Sequence, residues 1–271
     1  MFEWLSYEFM KHALLAIILV TPMFALMGTM VVSNRLSFFS DVIGHSALTG
    51  IAIGVLLGLE SPTLSMLALA VILAILINVL KAKTKTSADT VLGVIFAIIV
   101  ATGVVVLSLG AGFNKYTTYL IGDILSVTPY QLLEFGIIEL LVLLYWFFWG
   151  NKLLLLSFSP VVARSRGLKV FWIETSFTIL LAVAVTLSIR LFGILIINSL
   201  LILPAAAARN LAKDIKTYVW IAVVISIFSG ILGLFASYYL GSASGATVVL
   251  FCGGFYFLSL FISWWKGSTQ K

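Results

Sequence analysis

Apolar runs of about twenty residues follow one another along almost the whole chain, and nothing else constrains its fold as strongly. Such a run is long enough to cross a bilayer, where backbone polar groups must be satisfied within the protein, so each run reads as a helix. The runs fall at 13–32, 36–59, 62–80, 90–109, 130–149, 170–189, 191–208, 218–240 and 247–265. The two on either side of Arg190 read as separate helices or as one bent pair, giving eight or nine spans. The chain is 62% hydrophobic and 10% charged, whereas soluble domains carry roughly 25% charge. The fold class is therefore all-α, a polytopic membrane protein. No polar stretch is long enough for a soluble domain, so residues 1–271 read as a single transmembrane domain.

Basic residues orient the spans. All but Lys11, Lys115 and Arg190 fall in alternate connections or at the C-terminus, beginning with Arg35 and the cluster Lys81, Lys83 and Lys85. The positive-inside rule puts those connections and the C-terminus in the cytoplasm and, with nine spans, the N-terminus outside. The net charge of +6 then marks cytoplasmic loops rather than a nucleic-acid surface. The N-terminal MFEWLSYEFMKHALL has acidic residues where a signal peptide would be basic, so the first span is expected to be retained. Cys252 has no second cysteine to pair with, which excludes an internal disulfide and a cysteine-based metal cluster.

Two connections exceed a simple turn. In the outer one, 110–129, Tyr116, Tyr119 and Leu120 suggest a short interfacial helix or re-entrant piece. In the inner one, 151–169, the run SFSPVVARSRGLK offers Ser159 as an N-cap, Pro160 as the first helical position and Gly167 as the C-terminal stop. A short amphipathic helix with Arg164 and Arg166 is expected there. It reads as a surface helix held by anionic lipid or as a docking element for a soluble partner. The sequence contains no G-x-x-x-x-G-K-[ST] phosphate loop, so the chain is read as a transport subunit and not as an ATPase.

The second span carries Asp41 and His45, one helical turn apart and therefore on one face. Counting about 1.5 Å per residue from Arg35, Asp41 lies roughly 9 Å and His45 roughly 15 Å into a hydrocarbon core about 30 Å thick. A charged side chain at that depth costs about 3 kcal/mol on insertion scales. One reading is a hydrogen-bonded pair that fixes helix packing, with Asn34 or Ser40 as partner. The other is a metal site, because carboxylate and imidazole together suit zinc, manganese or ferrous iron. One pair supplies two ligands and a tight zinc site wants three or four, so two copies of the chain sharing an axis would complete it. Both ligands must be deprotonated, and occupancy is expected to weaken at acid pH.

Other polar positions have plainer readings. Ser46, Gly50, Gly54 and Gly58 form a small-residue ridge for close helix packing. His12 reads as interfacial. Asp123 guides cations inward or caps a turn. Glu134, Glu139 and Glu174 lie near enough to an interface to snorkel or pair. Asn198 is expected to bond a neighbouring helix, and Pro204 to kink the seventh span and act as a hinge.

Several stretches together resemble the permease subunit of bacterial ABC importers for zinc and manganese. These are NRLSFFSDVIGHSALTGIAIG, KAKTKTSADTVLGVIFAIIVATGVVVLS, SFSPVVARSRGL and LFGILIINSLLILPAAAAR, which appear in the family's order over nearly the whole chain. The resemblance implies the ABC importer permease fold, a homodimer in the bacterial cell membrane, two separate ABC ATPase subunits and an extracytoplasmic metal-binding protein. It implies that Asp41 and His45 form the transient metal site with their dimer mates. It also implies that the segment at about 157–169, with Ser159, Pro160, Ala163 and Gly167, couples to the ATPases. Ser159 stands where an aspartate is more usual, and Asp123 where a small residue is. No permanently bound cofactor is expected, since the zinc or manganese ion is cargo and ATP binds the partners. The rival reading is a self-contained proton-coupled metal transporter or channel, and a third is a structural membrane subunit.

Overall fold

The computed structural model of the chain describes residues 6–59, 62–84, 86–109, 122 and 124–268. Among them there is no strand, and nine helices are long and apolar enough to cross a membrane. These are α1 Glu8–Ser33, α2 Ser37–Leu56, α3 Pro62–Lys83, α4 Ala88–Leu109, α5 Pro129–Phe158, α7 Val170–Ile189, α8 Phe192–Leu211, α9 Ile215–Leu240 and α10 Ser244–Ser268. The short α6, Pro160–Ser165, joins α5 to α7, and a 3-10 turn at Ile124–Ser126 precedes α5.

Two boundaries depart from the hydropathy pattern. Helix α5 continues past Trp149 to Phe158, because Gly150 and Asn151 are tolerable within a helix and Lys152 folds its ammonium over the Trp149 ring, 5.5 Å from the centroid. It stops where Pro160 disfavours helical geometry in the residue before it. The break expected at Arg190 falls instead at Gly193, whose φ of 71° and ψ of 163° interrupt the run Val170–Leu211. That backbone region is essentially open to glycine alone. Pro204, the expected hinge, lies inside the run, and the non-helical dihedrals are at Gly193.

By compactness the chain divides into two units interleaved in sequence. One comprises residues 33–120 and 144–190, which include α2, α3, α4, the end of α5, α6 and α7. Here α2 packs along both α3 and α4. A Cβ on Gly50 would sit 2.8 Å from the Met66 Cα, and one on Gly54 would run into Ser65. The Ser65 hydroxyl donates to the Gly50 carbonyl at 2.7 Å. On the other flank the Thr49 hydroxyl donates to the Ile99 carbonyl at 2.9 Å, and a Cβ on Gly103 would strike Thr49. Gly58 does not continue the ridge. It lies past the end of α2, exposed, at a φ of 68° with open space where a Cβ would be, so it belongs to the turn after the helix.

The other unit comprises residues up to 32, 121–143 and 191 onward. It is held by the same kind of contact: Gly28 of α1 lies against the Leu201 carbonyl, Gly230 of α9 against Ile17, and Gly233 against Val248 of α10. The Ser226 hydroxyl donates to the Thr21 carbonyl at 3.0 Å. Helices in lipid gain little from burying apolar surface against one another, so small residues and interhelical hydrogen bonds carry the packing. At the polar end of α9, Asp214 is the N-cap and accepts from the Thr217 N–H at 2.9 Å. That bond and a second from the Thr217 hydroxyl hold its carboxyl below the ordinary carboxylate range. A lowered carboxyl stabilises above its unfolded pKa, and the contribution is lost only as pH falls through the folded one.

The glycine contacts give a direct test. Gly50→Leu is expected to cost about 1–3 kcal/mol by overpacking α2 against the α3 backbone, lowering the Tm of the detergent-purified protein by several degrees. Gly93→Leu, where a Cβ would meet nothing within 4 Å, should leave the Tm within a degree or so of wild type.

Candidate functional site

The stripe of α2 that its packing on α3 and α4 leaves accessible, bordered by Phe96 of α4, carries the candidate chemistry. Phe38 is exposed and Asp41, His45 and Leu48 are half-buried, while Phe39, Ser40, Val42, Ile43, Gly44, Ser46 and Ala47 are buried. The accessible positions follow the three- and four-residue steps of one helical stripe. His45 is the ninth residue of this 20-residue helix, close to its midpoint, and Asp41 lies about 6 Å nearer the Ser37 end at 1.5 Å per residue. The two are within electrostatic reach of each other. Ser40, one of the partners considered for the pair, is turned inward and donates to the Ser37 carbonyl at 3.1 Å.

The imidazole is held from α4. Phe96 meets the His45 ring edge-on, with centroids 5.2 Å apart at 90°, and also contacts Phe38 at 5.4 Å. This contact limits rotation of the imidazole. Nothing in the sequence distinguished Phe96 from the other phenylalanines, because its significance comes from the pairing of α2 with α4. Among the described residues no three His, Cys, Asp or Glu side chains come together. The described part of one chain therefore presents a carboxylate–imidazole pair.

At the basic end of the same unit, α6 is defined by local chemistry at both ends. Ser159 is its N-cap, accepting from the Val162 N–H at 3.3 Å, and Pro160 is at its first helical position. Gly167 takes a φ of 74°, letting its N–H reach the Arg164 carbonyl at 2.9 Å and the Leu168 N–H reach the Ala163 carbonyl at 3.1 Å. These two bonds satisfy carbonyls that the helix end would leave open. Ala163 is fully buried, while Val161, Arg164 and Arg166 are exposed. A helix of six residues thus presents a basic, partly apolar outer face on a small anchored inner one.

Beside α6 lies a cavity of about 420 Å³ lined by Asn34, Arg35, Lys81, Pro160 and Glu174 among others. Arg35 reaches it from a left-handed backbone, φ 56°, a conformation that costs an L-residue roughly 1–2 kcal/mol. The turn between α1 and α2 is therefore strained at the residue that brings a guanidinium to this mouth.

Comparison with known proteins gives this arrangement a context. Residues 6–263 match the model of the ABC 3 transport family. The chain belongs to that family. The high-affinity zinc uptake system membrane protein ZnuB of Haemophilus influenzae is 35% identical over 257 residues, 94% of this chain and 98% of that protein. The manganese import system permease protein ScaB of Streptococcus gordonii is 28% identical over 261 residues, 95% of this chain and 92% of that protein. Among solved structures, PsaBC from Streptococcus pneumoniae in complex with Fab matches with a TM-score of 0.82 and 25% identity, covering 95% of this chain and 93% of that one. The permease fold and the multi-pass membrane setting follow for this ABC 3 transport family member.

The remaining expected residues are scattered. His12 is half-buried in the first turns of α1. Asp123, with Tyr116, Tyr119 and Leu120, lies outside the described residues. Glu134 is exposed and Glu139 half-buried on α5, while Glu174 lines the cavity beside α6. Asn198 is half-buried on α8. Asn78, which no sequence motif marks, is buried on α3 and donates to the Ala74 carbonyl at 2.8 Å and to the Thr178 hydroxyl of α7. Its only signal was being an amide inside an apolar span.

Because α6 is too short to be stable alone, its caps should govern its order. Ser159→Ala is expected to cost about 1 kcal/mol of local stability, raising amide hydrogen exchange over residues 160–168 roughly fivefold, whereas Ser159→Asp should keep the wild-type rate.

Proposed function

We propose that this chain is the permease subunit of an ATP-driven importer of a divalent transition metal, zinc or manganese. The observation that carries the proposal is the accessible stripe of α2, with Asp41 and His45 together near mid-helix and the imidazole braced by Phe96. Zinc uptake and manganese import are the roles in the names of ZnuB and ScaB. Carboxylate oxygen and imidazole nitrogen are ligands suited to either ion.

In this reading two copies bring their α2 stripes together, and two Asp41–His45 pairs make a four-ligand site that neither copy holds alone. The α6 segments, through Ser159, Pro160, Ala163 and Gly167, dock separate ATPase subunits, and an extracytoplasmic binding protein delivers the ion. ATP-driven closure of those partners opens the site outward, and hydrolysis reopens it inward. The chain's own contribution is to hold two ligands at a fixed rotation in a low-dielectric setting and to pass on the movement of α6.

The test is uptake of zinc and manganese, measured side by side, in cells that lack the whole transporter and then regain it with wild-type or variant permease. Asp41→Ala and His45→Ala should each lower uptake by at least the roughly 10–100-fold that changes around metal ligands typically cost. Phe96→Ala, which leaves both ligands in place, should fall between these variants and wild type. Unchanged uptake in the Asp41→Ala/His45→Ala double variant, with the protein still inserted and assembled, would refute the ligand assignment. Uptake by the purified chain alone in vesicles, driven by a pH gradient without ATP, would refute the ATP-driven reading.

A further inference from the structure

A second cavity, of about 520 Å³, opens between α5 and α7 at the basic end of the unit that holds α2. Its walls are chemically unlike those of the cavity lined by Arg35 and Glu174. Tyr145 and Trp149 stack with centroids 5.5 Å apart and planes 10° from parallel. The Tyr145 hydroxyl meets the Ser176 hydroxyl at 2.8 Å, tying α5 to α7. Trp172, 66% exposed, faces the opening from α7. Lys152, its ammonium 5.5 Å from the Trp149 ring centroid, and Lys169 supply two exposed cations. No carboxylate is among the lining residues. Gly167 and Leu168, which close the end of α6, form part of the same wall.

We propose that this cavity is a site for the headgroup of an anionic membrane phospholipid, one that touches the stop of α6. The distribution of basic residues puts this end of the chain at the cytoplasmic surface, which is the negatively charged leaflet. Tryptophan and tyrosine rings sit at the headgroup level of a bilayer, where an apolar body and a polar edge are both satisfied. Lysines there extend along apolar surface and leave their ammonium groups at the interface. A basic pocket between spanning helices on the cytoplasmic side is the chemistry that holds a phosphate headgroup while its acyl chains lie along the helices. A freely dissolved phosphate would gain nothing from the aromatic floor. A lipid uses both the aromatic surface and the two cations.

The test is native mass spectrometry of the detergent-purified full-length chain, exposed to equimolar phosphatidylglycerol and phosphatidylcholine. Wild type should retain phosphatidylglycerol preferentially. Lys152→Gln/Lys169→Gln should lower that retention by roughly tenfold or more, as expected when two lysines facing an anionic headgroup are removed. Lys83→Gln/Lys213→Gln, exposed cations outside the cavity, should retain the lipid as wild type does. Equal retention by wild type and Lys152→Gln/Lys169→Gln would overturn the proposal, as would an equal fall in both double variants, which would mean unspecific surface charge. Displacement of the lipid by millimolar inorganic phosphate alone would also overturn it, by making the occupant a soluble anion.

Discussion

The rotation of α2 about its own axis is the constraint on which the rest of this structure depends. A helix carrying a carboxylate and an imidazole at mid-length has a favourable arrangement only if that stripe avoids hydrocarbon and avoids being sealed in an apolar core, since either costs several kcal/mol. The rotation is fixed from two sides at once. Gly50 and Gly54 bring α2 onto the backbone of α3, and Ser65 adds a hydrogen bond to the Gly50 carbonyl. Thr49 bonds to α4 where Gly103 admits it. Two close contacts on different flanks leave one orientation, and the stripe of Phe38, Asp41, His45 and Leu48 is what remains accessible.

Lipid makes this strategy effective. Close approach cannot be driven by the hydrophobic effect when the surroundings are as apolar as the side chains, so it depends on dispersion at short range and on hydrogen bonds without competing water. The second unit uses the same means at Gly28, Gly230 and Gly233. A larger side chain at any of these points would force apart the elements that set the orientation of others.

How far the sequence disclosed this depended on the range of the chemistry involved. Helix α6 was legible almost residue by residue, because Ser159, Pro160 and Gly167 act on their own neighbours within a single turn. The apolar helices among the described residues were legible to within one, as eight or nine spans, because bilayer thickness sets their length. The end of α5 was not, since Gly150, Asn151 and Lys152 look like a stop until the lysine is seen folded over Trp149. The break at Gly193 was hidden by Arg190, because hydropathy registers a charge and is blind to a dihedral angle. Gly58 looked like a fourth ridge position by spacing, yet the helix had already ended. At the site, Asp41 and His45 could be placed on one face by counting. Phe96 could not be found that way, since its role arises only when α4 lies beside α2.

Within the unit that holds α2, α6 is joined to it by contiguous contacts. Leu168 closes α6 directly into the start of α7, and α7 is bonded to α3 through Thr178 and Asn78. From α3 the Ser65 hydroxyl reaches the Gly50 carbonyl, five residues from His45 on the same helix. Each crossing is a buried or partly buried hydrogen bond, and a helix transmits displacement along its axis with little loss. Contiguity alone does not amount to coupling, which also needs an element with two discrete arrangements. Close packing favours such discrete states, because interlocked glycine contacts shift between alternative registers more readily than they stretch. Along this route Asp41 and His45 stand in fixed relation to each other, because a single helical turn of α2 carries them both.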